Sequence, residues 1–177
     1  MTKNSMAKHA AESPGEVKEQ PPSAKATVVR LEKQQHKGKQ IEGVGAFTRK
    51  LDTALPGKHT RLLYNSFKWN EAAILAQLRT GMSRLNAYLY RINAAETDLC
   101  ACGQAKETIE HFLFRCSRWD QLRQTMLRQA DLQPGCLSYF LGGKAASQSS
   151  SWKPNLAVVR ATVRYAIATG RLAFDTT

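Results

Sequence analysis

From Phe47 onward, apolar side chains recur every three or four residues, the spacing of amphipathic helices rather than of strands. Phe47 and Leu51 stand one helical turn apart before Pro56 and Gly57 break the segment. Ile74, Leu75 and Leu78 form one buried stripe on a helix over 71–80, with Asn70 as its cap and Gly81 as its left-handed stop. Leu85, Tyr88, Leu89 and Ile92 follow at i, i+3, i+4 and i+7, which places all four on one face of a second helix and suggests a helical hairpin. Ser117 is positioned to cap a helix that turns Trp119, Leu122 and Met126 inward and Arg118, Arg123 and Arg128 outward. Asn155 caps a last helix over about 156–172, interrupted near Gly170.

The flanking segments lack this pattern. Residues 1–27 are rich in Lys, Glu, Ser, Ala and Pro and hold too few large apolar groups to offset the entropy of ordering, so a disordered tail is expected. The polar, basic run over 28–39 reads as helical in part, LSYFLGG as one short turn, and KAASQSSSWKP as a flexible connector. The expected organisation is mainly α. A partly basic, disordered tail spans 1–45, a helical region 46–96, a CCHC zinc module with its following helix 97–130, and a linker with the C-terminal helix 131–177.

Charge narrows the classes of partner. The net charge of +12 marks an anionic partner, either nucleic acid (RNA or DNA) or a membrane surface, and does not choose between them. It is concentrated: residues 25–68 carry ten Lys or Arg against Glu32, Glu42 and Asp52, a surplus of seven. No 18-residue apolar run exists to span a bilayer, and the start MTKNSMAKHAAESPGE lacks the apolar segment of a secretory signal. The expectation is therefore a cytoplasmic or nuclear chain with no membrane partner.

In a reducing compartment four Cys suit metal or core roles better than disulfides. Three of them fall in CACGQAKETIEHFLFRC, a C-x-C-x8-H-x4-C pattern that includes Cys100, Cys102, His111 and Cys116. Two thiolates from a tight turn closed at Gly103, with a His and a Cys from a following helix capped by Thr108, supply the four ligands of a structural zinc site. Five residues along an α-helix rotate by about 140°, so Cys116 must lie where that helix ends if it is to face the ion with His111. The first pair is C-x-C rather than the usual C-x2-4-C. The apolar inventory between Thr97 and Cys116 is little more than Ile109, Phe112, Leu113 and Phe114, and structural zinc supplies roughly 10–16 kcal/mol to such segments. Lys106, Arg115 and Arg118 are placed to offset the net −1 of a three-thiolate site. Cys136, alone after a Pro-Gly turn, reads as a core or free thiol.

Four protein ligands leave no open position for catalysis, and no close carboxylate pair of the kind used in two-metal phosphoryl chemistry is present. Gly57-Lys58-His59-Thr60 lacks the upstream Gly and the adjacent Ser/Thr of a phosphate loop. Arg49, Lys50, Lys58, Arg61, Arg115 and Arg118 are the candidate phosphate contacts. Tyr64, Phe67 and Trp69 stand nearby for base stacking, although core packing is the stronger expectation for Phe67 and Trp69. Arg160, Arg164 and Arg171 fall within about 40° on the last helix.

The ordered motifs LPGKHTR, QLRTG, LNAYLYRI and CACG…ETIEHFLFRC, with the ending NLAVVRATVRYAIATGRL, resemble the extreme C-terminal region of reverse-transcriptase proteins of fungal non-LTR (LINE-type) retrotransposons. The resemblance covers about residues 46–174. It implies that Cys100, Cys102, His111 and Cys116 are zinc ligands, that the polymerase and RNase H-like domains belong upstream, and that their catalytic residues have no counterpart in this chain. A non-enzymatic protein is the expectation. Two functions are compatible with it. One is a nucleic-acid-binding remnant. The other is a retroelement-derived fungal effector, similar to avirulence proteins of cereal powdery mildews, that reaches the host cell cytoplasm by unconventional delivery and meets a host resistance or target protein.

Overall fold

A computed structural model describes residues 24–35, 45–55, 57–131 and 135–173. The chain divides into two units, Met1–Glu42 and Gly43–Thr177. In the first, α1 (Ala24–Gln35) begins inside the stretch expected to be unstructured; Ala24, Lys25 and Ala26 are good helix formers. Its Val28, Val29 and Leu31 are exposed. The remainder of the expected tail, 1–23 and 36–44, lies outside the described residues.

The second unit is built from short helices: α2 (Ala46–Leu51), α3 (Lys58–Tyr64), α4 (Trp69–Thr80), α5 (Asn86–Arg91), α6 (Asp120–Leu127), α7 (Leu137–Phe140) and α8 (Leu156–Ala168). A mainly helical fold is therefore observed, and no strand occurs among the described residues beyond the single antiparallel bridge between Leu99 and Lys106. The segments 46–96, 97–130 and 131–177 share one core, to which Leu51, Leu75, Phe112, Met126, Phe140 and Val163 all contribute. α8 is its axis. Val158, Val159, Thr162, Val163, Tyr165 and Ala166 face inward and pack against α4, α6 and α7.

Helix ends follow local chemistry. Asn155 caps α8, its side chain accepting from the Val158 N–H at 3.3 Å. Gly81 ends α4 at φ 75°, as expected. The start of α4 differs: the helix begins at Trp69, and the Glu71 carboxylate reaches back to accept from the Lys68 N–H at 3.0 Å, so Asn70 is not the cap. The hairpin partner also differs, because α5 is only six residues long and leaves Ile92 exposed while Leu85 is buried. α8 ends at Ala168, and Gly170 at φ 66° carries Arg171 off the helix, away from the stripe of Arg160 and Arg164. At Gly143 a Cβ would stand 2.2 Å from the Leu51 carbonyl oxygen, so the chain after α7 passes α2 where only glycine fits. The connector beyond it is tied down: the Ala146 N–H donates to Thr53 Oγ1 at 2.9 Å, and Trp152 meets His59 edge-on at 6.1 Å.

Two buried ion pairs lock these short elements. Arg79 on α4 donates to Asp52 at 2.5 Å and to the Leu141 carbonyl at 2.5 Å, and both side chains are almost wholly buried. His59 completes the set, its Nε2 2.9 Å from Asp52 Oδ2. Arg171 donates to Glu107 at 2.8 and 2.6 Å and to Asn86 at 2.9 Å, while the Asn86 N–H at the start of α5 donates to Glu107 at 2.7 Å. Removing one member of a buried pair strands the other charge in a low dielectric. Arg79→Ala is expected to lower unfolding free energy by about 3–5 kcal/mol in urea titrations, and Asp52→Asn in the same background to restore part of it.

Candidate metal centre

The site begins in a loop folded back on itself between Asp98 and Glu107. The Cys100 N–H donates to the Ala105 carbonyl at 2.8 Å, the Gly103 N–H to the Cys100 carbonyl at 2.8 Å, and the Glu107 N–H to the Asp98 carbonyl at 2.8 Å. Gly103 adopts φ 76° with open space around it, so its conformation alone accounts for the glycine. The loop thereby presents Cys100 and Cys102 to one side.

The second pair comes from the helical turn that follows. Thr108 caps it as expected, its Oγ1 accepting from the His111 N–H at 3.1 Å. Residues His111–Arg115 then widen into a π-turn, closed by a 2.8 Å hydrogen bond from the Cys116 N–H to the His111 carbonyl. An i→i+5 turn brings residue 116 closer to the side of residue 111. The mismatch of about 140° in a regular α-helix is thus reduced by overwide winding, and Cys116 lies where the helical turn ends, as expected.

The four side chains converge. Cys100 Sγ lies 3.5 Å from Cys116 Sγ and Cys102 Sγ 3.2 Å from His111 Nε2; all four ligand atoms fall within 4.8 Å of one another. Cys100, His111 and Cys116 are buried and Cys102 is half-buried. A disulfide requires sulfurs about 2.0 Å apart, so these are free thiols in a group compatible with one metal ion. Cys136 stands apart and exposed, a free thiol rather than a core one.

The environment readies unlike ligands for one centre. Burial pushes the Cys100 thiol up to about 12, whereas the Gln104 N–H, donating at 3.5 Å, holds Cys102 below the ordinary thiol value. Burial, and then the Arg123 charge, lower the His111 imidazole below 6.5, which favours its neutral, ligating form near pH 7.

Arg123 corrects the reading of α6 as carrying its arginines outward. It is buried, and its guanidinium donates to the Leu113 carbonyl at 3.0 Å, to the Cys116 carbonyl, and to Asp120. The Tyr165 hydroxyl from α8 donates to the Phe112 carbonyl at 2.6 Å, and burial raises its pKa. A π-turn leaves carbonyls unpaired by its own N–H groups, and these two side chains satisfy them. No sequence signal separates Arg123 from Arg118 and Arg128, which stand just before and just after α6. Leu122, expected inside, is partly exposed in its place.

The remaining candidates are dispersed. Lys106 pairs with Asp98 at 2.7 Å and Arg115 with Glu110 at 2.6 Å, both in solvent, and Arg118 lies over the Trp119 ring at 5.1 Å. Arg49 is half-buried, and Lys50, Lys58 and Arg61 are exposed on α2 and α3. Tyr64 and Phe67 pack against the core, but Trp69 does not: it is 82% exposed.

No family model, curated protein or solved structure matches the chain. The geometry of the cluster therefore carries the functional reading.

Metal uptake must displace the Cys100 proton, so calorimetric titration with a divalent metal at pH 7 is expected to show proton release that varies with buffer ionisation heat. The native His111 binds its proton below 6.5, so the unfolded chain protonates first as pH falls. Stability of the metal-free protein is expected to decline through that window, and His111→Gln to flatten the decline. Tyr165→Phe strands the Phe112 carbonyl and is expected to cost about 1–3 kcal/mol in denaturant titrations; Arg123→Met is expected to weaken metal affinity about 10–100-fold.

Proposed function

We propose that Cys100, Cys102, His111 and Cys116 bind zinc as a structural staple, and that the helical unit it holds is a non-catalytic nucleic-acid-binding module. A tetrahedron with Zn–S near 2.3 Å and Zn–N near 2.0–2.1 Å has edges of about 3.8 Å between sulfurs and about 3.5 Å from sulfur to nitrogen. The observed 3.5 and 3.2 Å separations lie close to those edges. Three sulfurs and one imidazole favour zinc over hard cations, and four protein ligands leave no position for substrate. The buried carboxylates Asp52 and Glu107 are each held by an arginine, so neither is free to act as a base.

One observation carries the binding half of the proposal. Lys50, Lys58, Arg61 and Arg118 project into solvent with no carboxylate partner among the described residues, on a chain of net charge +12. Unanswered cations on a stapled frame favour phosphate contacts, whose counterion release makes binding steeply salt-dependent. The order of motifs similar to LINE-type reverse-transcriptase tails supports the same reading.

Metal analysis of purified protein tests the staple: wild type is expected to hold one zinc and Cys116→Ser to lose it, and equal content in both would remove the assignment. RNA retention by the loaded protein is expected to fall steeply with rising salt and to be lost on chelation.

A further inference from the structure

The basic residues do not share one surface, and one corner of the fold differs from the rest. At the junction of α3 and α4, Trp69 is 82% exposed and Leu62 69% exposed. Trp119 and Trp152 each engage a neighbouring ring or cation, whereas Trp69 makes no ring contact among the described residues. An indole held in water at the first turn of a twelve-residue helix contributes nothing to the core.

Cations stand on α3, at the start of α4 and on α8. Lys58 and Arg61 occupy the exposed face of α3, opposite the buried Leu63, and Lys68 immediately precedes Trp69. α8 borders the same corner, because the Arg160 guanidinium donates to the Ser66 carbonyl at 2.9 Å and lies over the Phe67 ring at 5.8 Å. Arg164 follows one turn later on the exposed stripe, about 6 Å along the helix. None of these five cationic side chains forms a salt bridge among the described residues, and the Glu71 carboxylate beside Lys68 is engaged by the Lys68 backbone N–H at 3.0 Å.

We propose that this corner is a binding surface for single-stranded nucleic acid, with Trp69 as the stacking platform for an unpaired base and Lys58, Arg61, Lys68, Arg160 and Arg164 as the phosphate track. The proposal rests on the nucleic-acid reading above and locates its interface away from the metal centre. An open indole face suits an unpaired base, because bases in a duplex are already stacked. Two separated apolar side chains among five cations offer little area for insertion into a bilayer, whereas charge complementarity to a phosphate backbone is direct.

The test uses the zinc-loaded full chain and a fluorescent single-stranded RNA of about 12 nucleotides, comparable to ssRNA site sizes, with a duplex of the same length and anionic phospholipid vesicles as parallel arms. Trp69→Ala is expected to weaken single-strand binding about 5–100-fold and Trp69→Phe to retain most of it. Arg160→Ala with Arg164→Ala is expected to reduce the salt slope by about 1.4, and Arg128→Ala, at the C-terminal end of α6, to leave it unchanged. Zinc content and thermal melting of each variant establish that it is folded. Binding by wild type with Trp69→Ala and the double arginine variant unaffected would overturn this surface and leave the nucleic-acid reading standing. Absence of RNA binding by wild type would overturn both. Equal binding of duplex and single strand would overturn the stacking role, and binding to vesicles alone would assign the corner to lipid.

Discussion

The hydrogen bonds that Arg123 and Tyr165 donate to the backbone of the π-turn are the constraint on which the metal centre depends. His111 and Cys116 share a side only because the turn between them is wider than an α-helix, and such a turn leaves carbonyls its own N–H groups do not reach. Buried carbonyls without donors are costly, so the turn persists where donors arrive from elsewhere. Here they arrive from α6 and α8, elements that follow the ligands in sequence. The centre is therefore not a self-contained finger. Its geometry uses donors from α6 and α8, so a metal ion held there would be linked to folding of the whole unit.

The same economy of polar contacts governs the rest of the unit. Isolated helices shorter than about 12–15 residues are marginal in water, and most of the helices here are shorter. Buried side chains fix their ends. Arg79 joins the end of α2, through Asp52, to the chain after α7. Glu107 receives the first N–H of α5 and the guanidinium of Arg171, so the loop carrying two ligands is fastened to α5 and to the chain beyond α8. The segment 97–116, poor in apolar groups, is held at both ends by charge-assisted hydrogen bonds, at Glu107 and at the Cys116 carbonyl.

What was legible in the sequence was what depends on neighbours along the chain. The four ligands, the Gly103 turn, the Thr108 and Asn155 caps and the Gly81 stop are local chemistry, and each stands where spacing placed it. The π-turn was not legible, because nothing in HFLFR distinguishes it from an α-helical turn; the closure of a distant cluster selects it. Arg123 was misread for a related reason. On an amphipathic helix an arginine reads as solvent-facing unless its carbonyl acceptors are known, and those lie seven and ten residues away. Asn70 is not the cap of α4 because the helix starts earlier, at Trp69, where the Glu71 carboxylate, three residues on from Lys68, accepts from the Lys68 N–H. Trp69 was misread in the opposite sense, since a large aromatic is assigned to the core by default.

These misreadings share a lesson about charge. A surplus of twelve positive charges does not say which of them face a partner. Arg79, Arg123 and Arg171 serve the interior, donating to buried carboxylates and carbonyls. Arg115 and Lys106, adjacent to the ligands in sequence, are answered by Glu110 and Asp98. The exposed cations without a carboxylate partner among the described residues include Arg118 near the cysteines, and Lys58 and Arg61 on α3 and Arg160 and Arg164 on α8 away from them. The Cys/His cluster and the exposed cations are separate parts of the unit: the first is buried with its four side chains converging, the second lies in solvent. On the function proposed above, a metal ion held by the cluster would supply the rigid frame by tying the loop after α5 to the core that α8 completes.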